Sequence, residues 1–188
     1  GYVTRWVEFS FLPGAVEALA ELRRMSARLI VVTNQRGVAL GRMTQADLDS
    51  IHERMRGELR AHGADVDAIY ACPHEEGTCD CRKPRTGLFR QATADHPSID
   101  LAHAVMVGDS ASDGEAARSF GIRFAAVGPN AADIDDDMIG ADGIDAARQL
   151  SDHDASAALI RANLLTCAMA ARGPSMRSIW PRSLSCGG

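Results

Sequence analysis

Between Ala71 and Arg85 the chain reads ACPHEEGTCDCRKPR, and four of these residues offer a thiol or imidazole to a metal. Cys72 and His74 are two apart, Cys79 and Cys81 are two apart, and the polar step Glu75–Thr78, with Gly77 inside it, separates the pairs. Three thiolates and one imidazole make the donor set of a closed, tetrahedral structural zinc site. A step of that length lets the loop fold back so that both pairs reach one ion. Two other readings exist: unrelated thiols on a surface loop, or a disulfide. Clustered exposed thiols are a liability, and Cys79 and Cys81 are too close in sequence to bridge comfortably. Directly after the last ligand come Arg82, Lys83 and Pro84, which put two cations beside the loop.

Two further polar groups follow apolar runs. Thr33 and Asn34, a hydroxyl and an amide, end the run Arg28–Val32; Asp109 and Asp113, two carboxylates four apart, follow Ala102–Gly108. Such a carboxylate pair suits a hard cation such as Mg2+. A hydroxyl, an ammonium and a carboxylate-held divalent cation in one crevice describe a phosphate site, because cation and lysine neutralise charge on a transferring phosphoryl group. Taken singly, Thr33 also reads as a strand terminator, Asp113 as a helix cap and Lys83 as a surface lysine. Asp109 after an apolar run and a glycine calls for a partner.

These groups need elements to position them. The runs Arg28–Thr33, Val66–Ala71, Ala102–Gly108 and Ile122–Val127 read as strands, the first and third apolar on both faces as buried parallel strands are. Between them lie helical patterns: from Pro13–Gly14 to near Ser26; from Thr44, with Leu48, Ile51, Met55 and Leu59 on one stripe and Gly63 at the end; from Thr86 to about Ala94; and up to Phe120 with Gly121 as cap. The alternation predicts an α/β fold, a Rossmann-like parallel sheet with helices on both faces. Ligands of such sheets sit at strand C-termini, where Thr33 and Asp109 fall. Gly1–Phe11 reads as an extended arm. The expected organisation is one domain over 1–150, a C-terminal helix over 151–172 and a disordered tail over 173–188.

Composition narrows the class. A length of 188 residues suffices for one core, and 46% hydrophobic with 24% charged residues is ordinary for a globular protein. The net charge of -5, with no basic stripe, argues against nucleic-acid binding. Five cysteines, three of them in the loop, leave Cys167 and Cys186 far apart in sequence and argue against a disulfide scaffold. No signal peptide and no apolar run of spanning length is seen, so the expectation is a cytoplasmic protein, a monomer, without a membrane partner.

The order VVTNQ, CRKP, VGDSASD resembles the second, third and fourth motifs of the haloacid dehalogenase superfamily. The CPH…CDC loop just before RKP is similar to the zinc loop of its branch of D-glycero-D-manno-heptose 1,7-bisphosphate and histidinol phosphatases. The resemblance runs from Gly1 to about Val127. It implies a Mg2+-dependent phosphomonoesterase with a small phosphorylated substrate. By that likeness Thr33 and Asn34 bind the phosphoryl group, Lys83 stabilises it, Asp109 holds Mg2+ with Asp113 in support, and Cys72, His74, Cys79 and Cys81 hold Zn2+. Gly1, Tyr2, Gln35, Arg36, Arg82 and Ser110 would contact substrate. The Gly1–Val3 segment and the Asn34–Gly41 pattern favour a heptose bisphosphate, with removal of the 7-phosphate, over histidinol phosphate.

One family element is missing from the sequence. The chemistry starts with Asp-x-Asp-Gly-Thr at the end of a central first strand, the first Asp being the nucleophile and the second the general acid and base. Asp65/Asp67, Asp133/Asp135, Asp135/Asp137 and Asp152/Asp154 have the spacing, but none follows an apolar strand or precedes Gly-Thr. The expectation is a chain lacking that strand and inactive as it stands, with a zinc-stabilised binding domain as the alternative function. A gap of two strand spacings, on the order of 10 Å, is expected between the Arg28–Thr33 and Ala104–Gly108 strands.

Overall fold

The computed structural model describes residues 2–25, 27–127, 138–139 and 157–160. Among the described residues, six strands, β1 (Ile30–Asn34), β2 (Ala68–Cys72), β3 (Ala104–Gly108), β4 (Arg123–Ala126), β5 (Met138–Ile139) and β6 (Ala157–Ile160), alternate with four helices, α1 (Ala15–Arg24), α2 (Gln45–Ala61), α3 (Gly87–Asp95) and α4 (Ala111–Phe120), as far as β4. Every ladder is parallel: β1 pairs with β2, and β5, β4, β3 and β6 form a second ladder in that order. The expected Rossmann-like α/β architecture is therefore present.

Strand side chains alternate between two cores, as the two-residue period of a strand requires. Val31, Val105, Val107 and Ala125 pack with Leu19, Leu22, Ile51, Met55 and Leu59, the inner faces of α1 and α2. Ile30, Val32, Met106, Phe124 and Ala126 pack with Leu88, Phe89, Ala116 and Ala117 of α3 and α4. Each fully buried large apolar side chain contributes roughly 1.5–3 kcal/mol, so the two cores together fix the sheet between helical layers. The helix ends follow their sequence signals. Thr44 caps α2, its side chain accepting from the Asp47 N–H, and Gly121 ends α4 at a φ of 82°, where a Cβ would be strained.

Three expectations are corrected. The N-terminal arm is not simply extended: Trp6–Glu8 form a 3-10 turn closed by Glu8, and Val3 and Phe9 are buried in the α1/α2 core. The helix expected over 151–172 is described only at Ala157–Ile160, and those residues form strand β6. The gap beside β3 is not open: β6 pairs with β3 from Ala104↔Ala157 to Val107↔Ile160 and runs alongside β1 as well. A four-residue apolar run is compatible with helix or strand by pattern alone, and an unpaired edge such as that of β3 is a template for any strand that reaches it. Gly1, the acidic stretch 131–137 and the tail 173–188 lie outside the described residues. Among those described, no helix is long and apolar enough to cross a membrane.

Candidate active site and metal centre

The four ligand atoms of Cys72, His74, Cys79 and Cys81 lie within 4.8 Å of one another. Cys81 Sγ is 3.1 Å from Cys72 Sγ, 3.2 Å from Cys79 Sγ and 3.2 Å from His74 Nδ1; Cys72 Sγ is 3.5 Å from Cys79 Sγ and 3.7 Å from His74 Nδ1. A zinc–sulfur bond of about 2.3 Å implies tetrahedral edges of about 3.7 Å, so the set fits a single zinc ion with little movement. Burial pushes the Cys81 thiol up to about 12, aided by Cys72 and Cys79. For Cys79 burial acts upward too, but hydrogen bonds from Cys81 and the Arg82 N–H outweigh it and bring the thiol down to about 6. A cluster that already favours one thiolate is suited to a cation.

β2 runs straight into this loop, and the loop returns to the end of β1. Asn34 clasps the Lys83 backbone from both sides: its Oδ1 accepts from the Lys83 N–H at 3.0 Å and its Nδ2 donates to the Lys83 carbonyl at 3.1 Å. The Lys83 side chain then enters the sheet. Its ammonium donates to the Val32 carbonyl at 2.5 Å and pairs with Asp113 Oδ1 at 3.3 Å, and both side chains are 0% exposed. Asp113 has a second task at the start of α4, where Oδ2 accepts from the Ser110 N–H at 3.2 Å and the Ser110 hydroxyl at 2.7 Å. A Cβ on Gly108 would stand 2.7 Å from that oxygen, so the glycine lets the carboxylate lie against β3.

Thr33 is buried, its hydroxyl accepting from Gln35 Nε2 at 3.1 Å. Asp109 is half-buried immediately after β3. Thr33, Asn34 and Asp109 thus sit at C-terminal strand ends, and Lys83 reaches in to join Asp113. Arg82 is half-buried beside them, and its buried Nη1 has no hydrogen-bond partner among the described residues. A buried guanidinium nitrogen in that condition fits an anion. Tyr2 and Arg36 lie farther out. Arg42 stacks over the Tyr2 ring, 4.7 Å from its centroid, and Arg36 Nε donates to Glu75 Oε1 at 2.5 Å. Glu75 and Arg42 were not singled out by sequence; on an exposed loop a charged residue gives no signal until its partner is placed.

The Asp-x-Asp spacing at Asp65 and Asp67 belongs to the other end of the sheet. Asp67 accepts from the Leu29 N–H at 2.7 Å and pairs with Arg23, ahead of both β1 and β2, while Asp65 pairs with Arg56. Asp47 and Asp49 share the spacing at the exposed start of α2, where Asp47 accepts from Thr44; the other Asp pairs lie outside the described residues.

A family model described as HAD-hydrolase-like matches residues 80–152. The chain is 42% identical over 125 residues to the D-glycero-beta-D-manno-heptose-1,7-bisphosphate 7-phosphatase of Escherichia coli CFT073, covering 62% of this chain and 65% of that one. It is 40% identical over 119 residues to the D-glycero-alpha-D-manno-heptose-1,7-bisphosphate 7-phosphatase of Mycobacterium tuberculosis H37Rv, covering 63% of each. The chain thus spans a little under two thirds of the length of these relatives. In three dimensions it resembles the D,D-heptose 1,7-bisphosphate phosphatase of B. bronchiseptica, crystallised with magnesium and phosphate, at a TM-score of 0.75 and 32% identity, with 81% of this chain and 89% of the other covered. Sequence, sheet and crevice agree: the chain belongs to the haloacid dehalogenase-like hydrolases, in the branch that contains these heptose-bisphosphate phosphatases.

Proposed function

We propose that this chain carries the phosphoryl-binding site of a Mg2+-dependent phosphomonoester hydrolase acting on a D-glycero-D-manno-heptose 1,7-bisphosphate, with the 7-phosphate removed. The observation that supports this most is Lys83, a fully buried ammonium held by Val32 and Asp113 at the strand ends, on a backbone that Asn34 clasps. A cation fixed in advance costs no reorganisation when charge develops on a phosphoryl group. Thr33 would donate its hydroxyl to the phosphoryl oxygens and Arg82 its Nη1. Asn34 keeps one amide hydrogen for the same group after clasping Lys83. Asp109 would hold Mg2+, with Asp113 acting in support by holding Lys83; the ion supplies further neutralisation of phosphate charge. Gln35 and Ser110 hold Thr33 and Asp113, while Tyr2, Arg36 and Gly1 would face the sugar and its distal phosphate. The same reading puts the protein in the cytoplasm as a monomer, a compartment in which thiols needed as metal ligands stay reduced.

Hydrolysis through a phospho-aspartate needs a carboxylate at a strand end beside Lys83. Of the two Asp-x-Asp pairs among the described residues, Asp65/Asp67 is at the opposite end of the sheet and Asp47/Asp49 is exposed at the start of α2, so neither ends a strand beside Lys83. The reading therefore includes an inactive 188-residue chain, and this same fact favours the alternative of a zinc-stabilised domain that binds phosphorylated ligands without turnover. Phosphate release in Mg2+ separates the two. The chain alone should release none from heptose 1,7-bisphosphate or histidinol phosphate. A version extended at its N-terminus by a strand ending in Asp-x-Asp should hydrolyse the heptose substrate in preference. Turnover by the unextended chain would overturn the missing-nucleophile reading. An extended chain that binds phosphate but never turns over would support the binding domain.

A further inference from the structure

The zinc loop and the loop after β1 touch at more than the Asn34 clasp. The Gln35 N–H donates to the Cys72 carbonyl at 2.7 Å, and the Ala39 N–H donates to the Pro73 carbonyl at 3.1 Å. Between these backbone bonds lies one side-chain pair. Glu75 Oε1 accepts from both Nε, at 2.5 Å, and Nη2 of Arg36. A guanidinium has two edges that can each grip an oxyanion, one formed by Nε and Nη2 and the other by the two Nη atoms. Glu75 occupies the first. Glu75 does not grip the second; Arg36 is half-buried, and Tyr2, with Arg42 stacked over its ring, lies against Gly37, the next residue in the chain.

We propose that Glu75 is a positioning residue: by holding one edge of the Arg36 guanidinium it presents the other edge to the phosphate of the substrate that is not hydrolysed. Arg36 thereby selects sugars carrying two phosphates over those carrying one. This inference rests on the bisphosphate reading above. The zinc ligand His74, next to Glu75 in the chain, makes the metal loop the fixed wall from which the clamp is built.

Electrostatics and positioning give opposite signs for the variant Glu75→Gln. Removing a carboxylate makes the rim more positive, which by itself tightens an anion. Losing the clamp frees the guanidinium to rotate and weakens a bidentate contact. The test is calorimetric titration of the zinc-loaded chain, in Mg2+, with two probes: inorganic phosphate, which reaches only the Thr33–Lys83 end, and heptose 1,7-bisphosphate. Expected for Glu75→Gln is about tenfold weaker binding of the bisphosphate, unchanged binding of inorganic phosphate and unchanged zinc content, with Glu75→Asp recovering part of the loss. Tighter or unchanged bisphosphate binding overturns the proposal. Equal weakening of both probes overturns it too, since Glu75 would then only prop the loop. If wild-type chain binds phosphate but gains nothing from the second phosphate, the proposal falls and the phosphatase reading stands. If it binds neither probe, both fall.

Discussion

Cys72, His74, Cys79 and Cys81 are supplied by one short loop, whereas Thr33, Lys83 and Asp113 come from the end of β1, the exit of that loop and the first turn of α4. The metal cluster would be held by its own ion, and its ligands need the fold only at the loop's edges. The crevice has no such local bond; its charges are held by burial and by one another. Lys83 and Asp113 are both sealed from water, an arrangement that rarely adds stability over apolar residues of the same size. The difference separates a site that stabilises the fold from one that the fold must stabilise.

That contrast can be broken most forcefully at the metal. Cys81→Ser removes a thiol that lies within 3.2 Å of each of the other three ligands. Expected are loss of zinc and a fall in stability on the order of 5 kcal/mol, because the binding energy of a structural zinc is folding energy. Metal analysis and urea unfolding read both. In the wild type zinc should leave as pH falls, since each thiolate must regain its proton. A metal-free chain of normal stability would place the loop with the crevice, as a passenger of the fold.

Next in size is Lys83→Met, which leaves the Asp113 carboxylate buried without its ammonium. Breaking one side of a buried pair costs about 3–5 kcal/mol. The double change Lys83→Met with Asp113→Leu should recover most of it, while phosphate binding stays lost. If the double variant is as unstable as the single one, the pair is a stabilising device after all and the contrast with the zinc loop disappears.

The smallest effect is expected at Tyr70, on β2 two residues before Cys72. The Tyr70 hydroxyl donates to Asp95 Oδ2 at 2.9 Å, and burial, with Asp95 adding to it, pushes its pKa up to about 12. A raised folded pKa means the contribution is complete below the unfolded value, about 10, and is lost as pH rises toward 12. Tyr70→Phe should cost about 1 kcal/mol and flatten the alkaline fall of the melting temperature, with zinc and phosphate binding unmoved. Altered ligand binding would show that this edge of the sheet is coupled to the crevice.

The Cys/His spacing was legible because all its ligands lie in one loop, where chain length alone limits what can converge. The strands Ile30–Asn34 and Ala104–Gly108 were legible as apolar on both faces, and α2 and α4 through Thr44 and Gly121, because a strand period, a cap and a left-handed turn are local properties. Element ends moved by a residue or two, as with the strand expected from Arg28 that starts at Ile30. What no local rule contains is which polar atoms meet. Asn34 carried a phosphate-binding expectation, and the fold adds that its amide closes on the Lys83 backbone. Asp113 read equally as cap and as metal ligand; it caps α4 and neutralises Lys83 in a space that Gly108 leaves open. Glu75 had no signal at all until Arg36 stood beside it. Ala157–Ile160, helical by composition, became a strand because β3 had an edge to fill. Hydrogen bonds and ion pairs are decided by distances between elements far apart in sequence, and only packing the two cores against the sheet sets those distances.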